Sequence, residues 1–281
     1  MSPWHVRETF DVLVVGKRLA MLLVGVTVYY LAAGFWVLRL QLAPIATASV
    51  ASLMNTILLG LLMSFRNRAA YQRWWEARGH WGQLVNDSRN LAAKCAAYVP
   101  PEAISRSLVG NILIGFAIAL RCRLRDQPLR LRDLSGFERE DAEPAHVPLD
   151  LARRLYAVIA GWKREGAIDA ETFWVLDVHA RGLMDVCGAC EKIKNTPLSP
   201  SYKGLLRAGL ALNVLAAPWL LVPESGFGSL PEILIACFFL FGVEVIDDIV
   251  EEPFGSERDD LDLDRYCETI REGVEASLGA G

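Results

Sequence analysis

LAPIATASVASLMNTILLGLLMSFRNRAAYQRWWEARGHW, residues 42–81, is the stretch whose reading decides the fold. From Leu42 to Phe65 it holds no Asp, Glu, Lys or Arg. About 20 apolar residues cross the hydrocarbon core of a bilayer as a helix, so the run is long enough to span. At Arg66 it turns basic and aromatic, with Arg66, Arg68, Arg73 and Arg78 among Tyr71, Trp74, Trp75 and Trp81. Arg and Trp gather where a membrane helix meets the cytoplasm. The pattern predicts one long helix that leaves the membrane near Phe65 and continues to about residue 98.

Two faces of this helix stand out. Ala48, Ser52, Thr56, Gly60 and Ser64 recur every four residues and make a small-residue stripe that a second helix can approach closely. Ser49, Leu53, Ile57, Leu61 and Phe65 form the neighbouring stripe, bulky toward its cytoplasmic end. Both stripes fit ordinary packing in a monomeric bundle. They equally fit a ring of helices in which Ile57, Leu61 and Phe65 form a hydrophobic constriction that gates by wetting and dewetting. Periodicity alone does not decide between the two.

The 281 residues are 53% hydrophobic and 22% charged, and mean hydropathy is +0.26. An ordinary charge fraction with positive hydropathy fits segregation, with apolar spans in one place and a charged cytosolic body in another. A net charge of −4 argues against nucleic acid as a partner. Residues 19–40 give a first span, too long for a signal peptide. A link of about three residues, Arg39 to Gln41, makes spans one and two a tight hairpin. Residues 99–204 read as cytosolic helices, including Leu108–Leu120, which is half a span long and is expected as a buried core helix. Asp169 is expected to cap a helix that ends before Pro197. Residues 205–223 and 230–247 give spans three and four, with Glu244 near the cytoplasmic edge or facing protein. Residues 248–281 are read as an acidic segment and tail. Lys and Arg are rich at the cytoplasmic ends and poor at both hairpin tips, which puts both termini inside.

Catalytic signatures are missing from the sequence. Cys187-Gly-Ala-Cys190 lacks the second ligand pair that zinc needs, and the six scattered cysteines read as reduced core residues. No phosphate loop, GxSxG or HExxH occurs, so no enzyme is expected. The acidic run Asp247, Asp248, Glu251, Glu252, Glu257, Asp259, Asp260, Asp262 and Asp264 is either a solvated face or a set of oxygen ligands for a hard cation.

Three blocks carry a family resemblance. Ser64-Phe-Arg-Asn-Arg-Ala-Ala-Tyr-Gln-Arg-Trp-Trp-Glu-Ala-Arg-Gly-His-Trp-Gly82 with Asn86-Asp-Ser-Arg89, then Cys190-Glu-Lys-Ile-Lys-Asn-Thr-Pro-Leu198 with Tyr202, then Ile249-Val-Glu-Glu-Pro-Phe-Gly255 resemble bestrophin signatures. Their order and length resemble the short prokaryotic branch. The resemblance implies an all-α membrane protein with four transmembrane helices per subunit and a large helical cytosolic domain. It also implies a homopentameric ring around a central pore in the prokaryotic plasma membrane. Chloride and other small anions would pass. A cation channel of the same architecture and a non-conducting membrane scaffold are the alternatives. Family neck positions fall on Ile57, Leu61 and Phe65, and the cytosolic aperture on Leu198, although here Ser199 precedes the proline that usually follows it. Glu257 and Asp260 match two ligands of the animal calcium clasp, which Arg258 interrupts. No cofactor is expected, and calcium control is not expected either.

Overall fold

The computed structural model describes residues 3–43, 48–102, 106–139, 144–257 and 259–279, with the side chains of 3–15, 48–53 and 106 outside the description. Its elements are α1 (Pro3–Arg39), α2 (Ala48–Tyr98), α3 (Arg106–Leu124), α4 (Val147–Arg164), α5 (Ala170–Asn195), α6 (Pro200–Ser225), α7 (Leu230–Val250) and α8 (Leu263–Leu278). Two short 3-10 turns complete them, and no strand occurs among the described residues. The chain divides into two compact units. One comprises Met1–Trp74, Pro197–Glu252 and Glu257–Asp259; the other comprises Trp75–Thr196, Pro253–Ser256 and Asp260–Gly281.

In the first unit α1 packs on α6 and α7. Tyr30, Val37, Ala217 and Val222 form its buried cluster, with Leu221, Leu230 and Ile233 against it. Two tyrosines in this apolar setting find polar partners. Tyr30 Oη and Ser229 Oγ share a hydrogen bond of 2.7 Å, and Tyr29 Oη donates to the Leu215 carbonyl at 2.7 Å. Pro218 inside the same helix leaves the neighbouring Val214 carbonyl without its helical N–H donor. A second cluster joins α2 to α6 through Met63, Leu206 and Leu210. Gly209 permits it, since a Cβ there would stand 2.7 Å from Leu59 Cδ2. Among the described residues, two helices are long and apolar enough to cross a membrane: Gly16–Arg39 and Ser107–Leu124. The α1 segment ends in a tight turn with Gln41 at φ +52°.

The second of those helices lies inside the other unit. α3 is flanked by α4 and α8, and Ile112, Leu113, Phe116 and Leu120 on it are fully buried. It is a core helix enclosed by protein, whatever its hydropathy. Asp169 caps α5 by accepting the Thr172 N–H at 2.7 Å. His146, an unexpected cap, accepts the Leu149 N–H at the start of α4 at 3.1 Å.

Within residues 248–281, read as an acidic segment and tail, the chain forms α8. Leu263, Cys267, Ile270, Val274 and Leu278 recur at helical spacing and are all buried. Asp262 caps the helix by accepting the Arg265 N–H at 3.0 Å. Its neighbour Asp264 pairs with Arg121 at 2.5 Å and Arg125 at 2.7 Å. Partial burial works to raise the Asp264 pKa, but the Arg125 and Arg121 guanidinium groups outweigh it and hold the carboxyl below its ordinary value. The capped, paired acids are anchors for the last helix.

All six cysteines are free and buried. Burial pushes the Cys95 and Cys187 thiols up to about 12 and raises that of Cys190 as well. At pH 8 these three thiols are therefore expected to stay protonated and unreactive toward a disulfide reagent in the folded protein. Titration with and without denaturant checks this, and rapid native labelling of Cys187 or Cys190 would show a reactive site instead of core cysteines.

Candidate functional site

The first unit sets the rotation of α2. Leu59, Met63, Arg66 and Ala70 are buried, while Ile57, Leu61 and Phe65 are 63%, 51% and 57% exposed. At 3.6 residues per turn, the two sets centre about 170° apart on the helix. The face that packs inside the unit is thus opposite the face that carries the bulky stripe. Thr56, Gly60 and Ser64 lie beside it and are also exposed, and Ser64 Oγ donates back to the Gly60 carbonyl at 2.8 Å. Ala48, Ser49, Ser52 and Leu53 of the two predicted stripes lie outside the described side chains.

What holds the buried face is a ring of charges. Arg66, with a fully buried side chain, donates to Glu244 Oε2 and to Asp248 Oδ1. Arg207 donates to the other oxygen of each, Glu244 Oε1 at 2.8 Å and Asp248 Oδ2 at 2.7 Å. Two guanidinium groups and two carboxylates therefore close a neutral cycle joining α2, α6 and α7. All four carboxylate oxygens are used. Glu244 faces protein, which is how an acid survives inside an otherwise apolar helix.

One turn further along α7, Glu251 does a related job. It is buried, its Oε1 accepts the Leu198 N–H at 3.1 Å, and its Oε2 pairs with Lys203 Nζ at 2.7 Å. Its own carbonyl accepts from Arg73 Nε at 3.3 Å. Leu198 sits between Pro197 and Ser199-Pro200, so its N–H is one of only two backbone donors in a Pro-Leu-Ser-Pro corner. Ser199 takes the N-cap position of α6 and Pro200 its first helical position, where proline is favoured.

Glu257 is exposed and belongs to the first unit; Asp260 belongs to the second, where its carboxylate lies against Gly255 and would have to shift if a Cβ were added there. Arg258 lies outside the described residues. The carbonyls of Phe254 and Gly255, which could have faced a cation, accept from Arg125 Nε at 3.3 and 3.1 Å.

The sequence missed one meeting of ligand-type side chains. His146, Cys187 and Glu191 bring their donor atoms within 4.8 Å of one another. His146 and Glu191 are hydrogen-bonded without an ion. His146 Nδ1 accepts a backbone N–H, so the proton of the neutral ring sits on Nε2 and goes to Glu191 Oε1 at 3.1 Å. Arg123 donates to that same oxygen. The missed partners Arg207, Asp248, Glu251 and Lys203 left one trace in the sequence. A lone Glu244 in an apolar run demands a countercharge.

The profile of the bacterial and fungal bestrophin proteins matches residues 10–276 of the chain. The chain belongs to the bestrophin family. A voltage-dependent anion channel-forming protein of Mesorhizobium japonicum is 32% identical over 227 residues, covering 79% of this chain and 73% of that one. Another so named, YneE of Salmonella typhi, is 28% identical over 279 residues, covering 95% and 86%. A bacterial bestrophin homologue of Klebsiella pneumoniae superposes with a TM-score of 0.85 at 22% identity, over 93% of this chain and 99% of that one. It shows that the fold is shared. Named relatives of this bestrophin are channels, and the protein is not an enzyme.

The charge ring yields a test. Removing one member strands a buried charge, whereas removing an opposed pair does not. Glu244→Leu is expected to destabilise the detergent-solubilised protein by on the order of 3 kcal/mol. Arg66→Met combined with Glu244→Leu should cost less than the two single changes added together. Thermal aggregation midpoints of the four proteins measure the coupling; strict additivity would mean that the ring has no energetic role.

Proposed function

We propose that this bestrophin is one subunit of a homopentameric channel in the prokaryotic plasma membrane, passing chloride and other small anions. Spans are assigned to α1, the first part of α2, α6 and α7, with both termini cytoplasmic. The observation that carries the reading is the exposed column of Ile57, Leu61 and Phe65 opposite the braced face of α2. Large apolar side chains on a face that its own unit leaves open need company, and copies of the helix around an axis supply it. The names of the relatives support anions as the permeant species.

The mechanism follows from solvation. Successive rings lie about 6 Å apart along the helix. An ion between them sheds water against groups that offer no hydrogen bond, so a narrow dry neck is a barrier and a wet one is open. Leu198 forms a second constriction on the cytosolic side, held by the Glu251 carboxylate through its backbone N–H. Glu251 is thus a positioning residue for the aperture.

Recordings from purified protein in planar bilayers under asymmetric KCl test the reading. Alanine at Ile57, Leu61 and Phe65 together should enlarge currents and weaken gating, with the sign of the reversal potential kept, since no charge changes. Unaltered currents in a variant that still assembles would return the stripe to a packing role. Reversal at the potassium potential in the parent would establish the cation alternative, and absence of current the scaffold.

The aperture has its own signature. Leu198→Ala and Glu251→Ala should both shift relative permeabilities among halide and larger anions, by several-fold, while leaving the neck-dependent gating in place. If Glu251→Ala leaves these ratios unchanged and Leu198→Ala alters them, the brace is dispensable.

Calcium is expected to be without effect. With the Phe254 and Gly255 carbonyls accepting from Arg125 and with Arg258 next to Glu257, chelation of calcium should leave open probability unchanged. A micromolar calcium dependence abolished by Asp260→Ala would reverse this.

A further inference from the structure

The first unit has a partly open pocket of about 300 Å³ between α2, α6 and α7. Its walls are apolar apart from Asn55, Thr56 and Asn213, and alanines on both α6 and α7, Ala217 and Ala236 among them, leave the room. An engineered apolar cavity of about 150 Å³ stays dry and takes up benzene, so this one holds a body of roughly twice that size. Water is a poor occupant because it wants two to four polar partners, and most of the wall supplies none. Asn213 adds a second observation. Its Nδ2 is buried and has no hydrogen-bond partner, an unmet donor on the wall of an apolar space.

We propose that this cavity binds an uncharged amphiphile of alkanol or phenol type, whose hydroxyl oxygen accepts the Asn213 Nδ2–H and whose hydrocarbon body lies against Ala217, Leu220, Ala236 and Phe241. Charged ligands are excluded, since no lining residue is basic or acidic and an unpaired ion in such a space is strongly disfavoured. A bilayer acyl chain would fill the volume but leave the amide unmet. Asn55 and Thr56 directly precede Ile57, so occupancy bears on the helix that carries the neck. That consequence rests on the channel reading; the binding does not.

The test uses the full chain in phosphatidylcholine liposomes, a diazirine-bearing octanol as photolabel, and peptide mapping by mass spectrometry. Labelling of α6 and α7 peptides should saturate and be competed by octanol. Decane, matched for concentration in the membrane, should compete at least fivefold less well. This comparison is made on the unmodified chain and needs no variant to fold. Asn213→Leu, which removes the donor and keeps the bulk, should raise the half-saturating concentration at least fivefold, and Ala236→Phe should abolish the saturable part. Labelling that rises linearly with membrane concentration, or equal competition by decane and octanol, would overturn the proposal. Chloride efflux from the same liposomes is read separately. Saturable labelling without altered efflux upholds the site and removes only its effect on the neck.

Discussion

A single electrostatic constraint governs the first unit: a fully buried guanidinium cannot be left unpaired in an apolar surround. Arg66 is the buried group, and Glu244, Asp248 and Arg207 answer it. A pair alone would leave half the carboxylate oxygens unmet. The four-membered cycle meets them all, at zero net charge. It also spans three helices, so satisfying the charge fixes their mutual rotation and axial register. Apolar contacts such as Met63 against Leu206 and Leu210 allow some sliding. Two arginines that each bridge the same two carboxylates do not.

That register has a consequence on the far side of α2. Phe65 and Arg66 are adjacent in sequence, and a helix turns 100° per residue, so anchoring one aims the other. With Arg66, Met63 and Leu59 turned inward, Ile57, Leu61 and Phe65 must point away from the unit. Here the core of the unit takes Leu59, Met63, Leu206 and Leu210 and leaves the wider stripe open. In the pentamer proposed above, that open face is the one turned toward the other copies.

The helical class, the segregation of charge and the family were legible because each rests on local pattern. The uncharged run 42–65, the aromatic-basic switch at Arg66 and the Asp169 cap all read directly. The fate of Leu108–Leu120 was legible from length, and α3 is indeed enclosed by α4 and α8. The charge ring was illegible because its members lie about 140 and 180 positions apart, and no local spacing links Arg66 to Arg207 or Glu244. The brace from Glu251 to Leu198 is hidden for the same reason. α8 was overlooked for a different one: five acids from Glu257 to Asp264 dominate the view, and the apolar period Leu263, Cys267, Ile270, Val274 begins only behind them. The meeting of His146 with Cys187 needed the α4 cap, which no histidine advertises in sequence.

The acids after Phe254 bear on which sign of ion passes, and their pairing changes the argument. As a bare sequence they form a field of negative charge that would draw cations. Asp262 instead spends its oxygen on the first turn of α8, where a carboxylate also complements the helix dipole. Asp264 is shared between Arg121 and Arg125, and Arg125 at the same time binds the carbonyls of Phe254 and Gly255. In the second unit, then, this stretch is a neutralised joint between α3 and α8. Its two arginines come from a segment with no acidic neighbour until Asp126. A cation-attracting role would need acids left over after such pairing, and the two nearest α8 are already committed. Asp262 and Asp264 are thus committed to the cap and to the arginines, and the neck proposed at Ile57, Leu61 and Phe65 carries no charge of either sign.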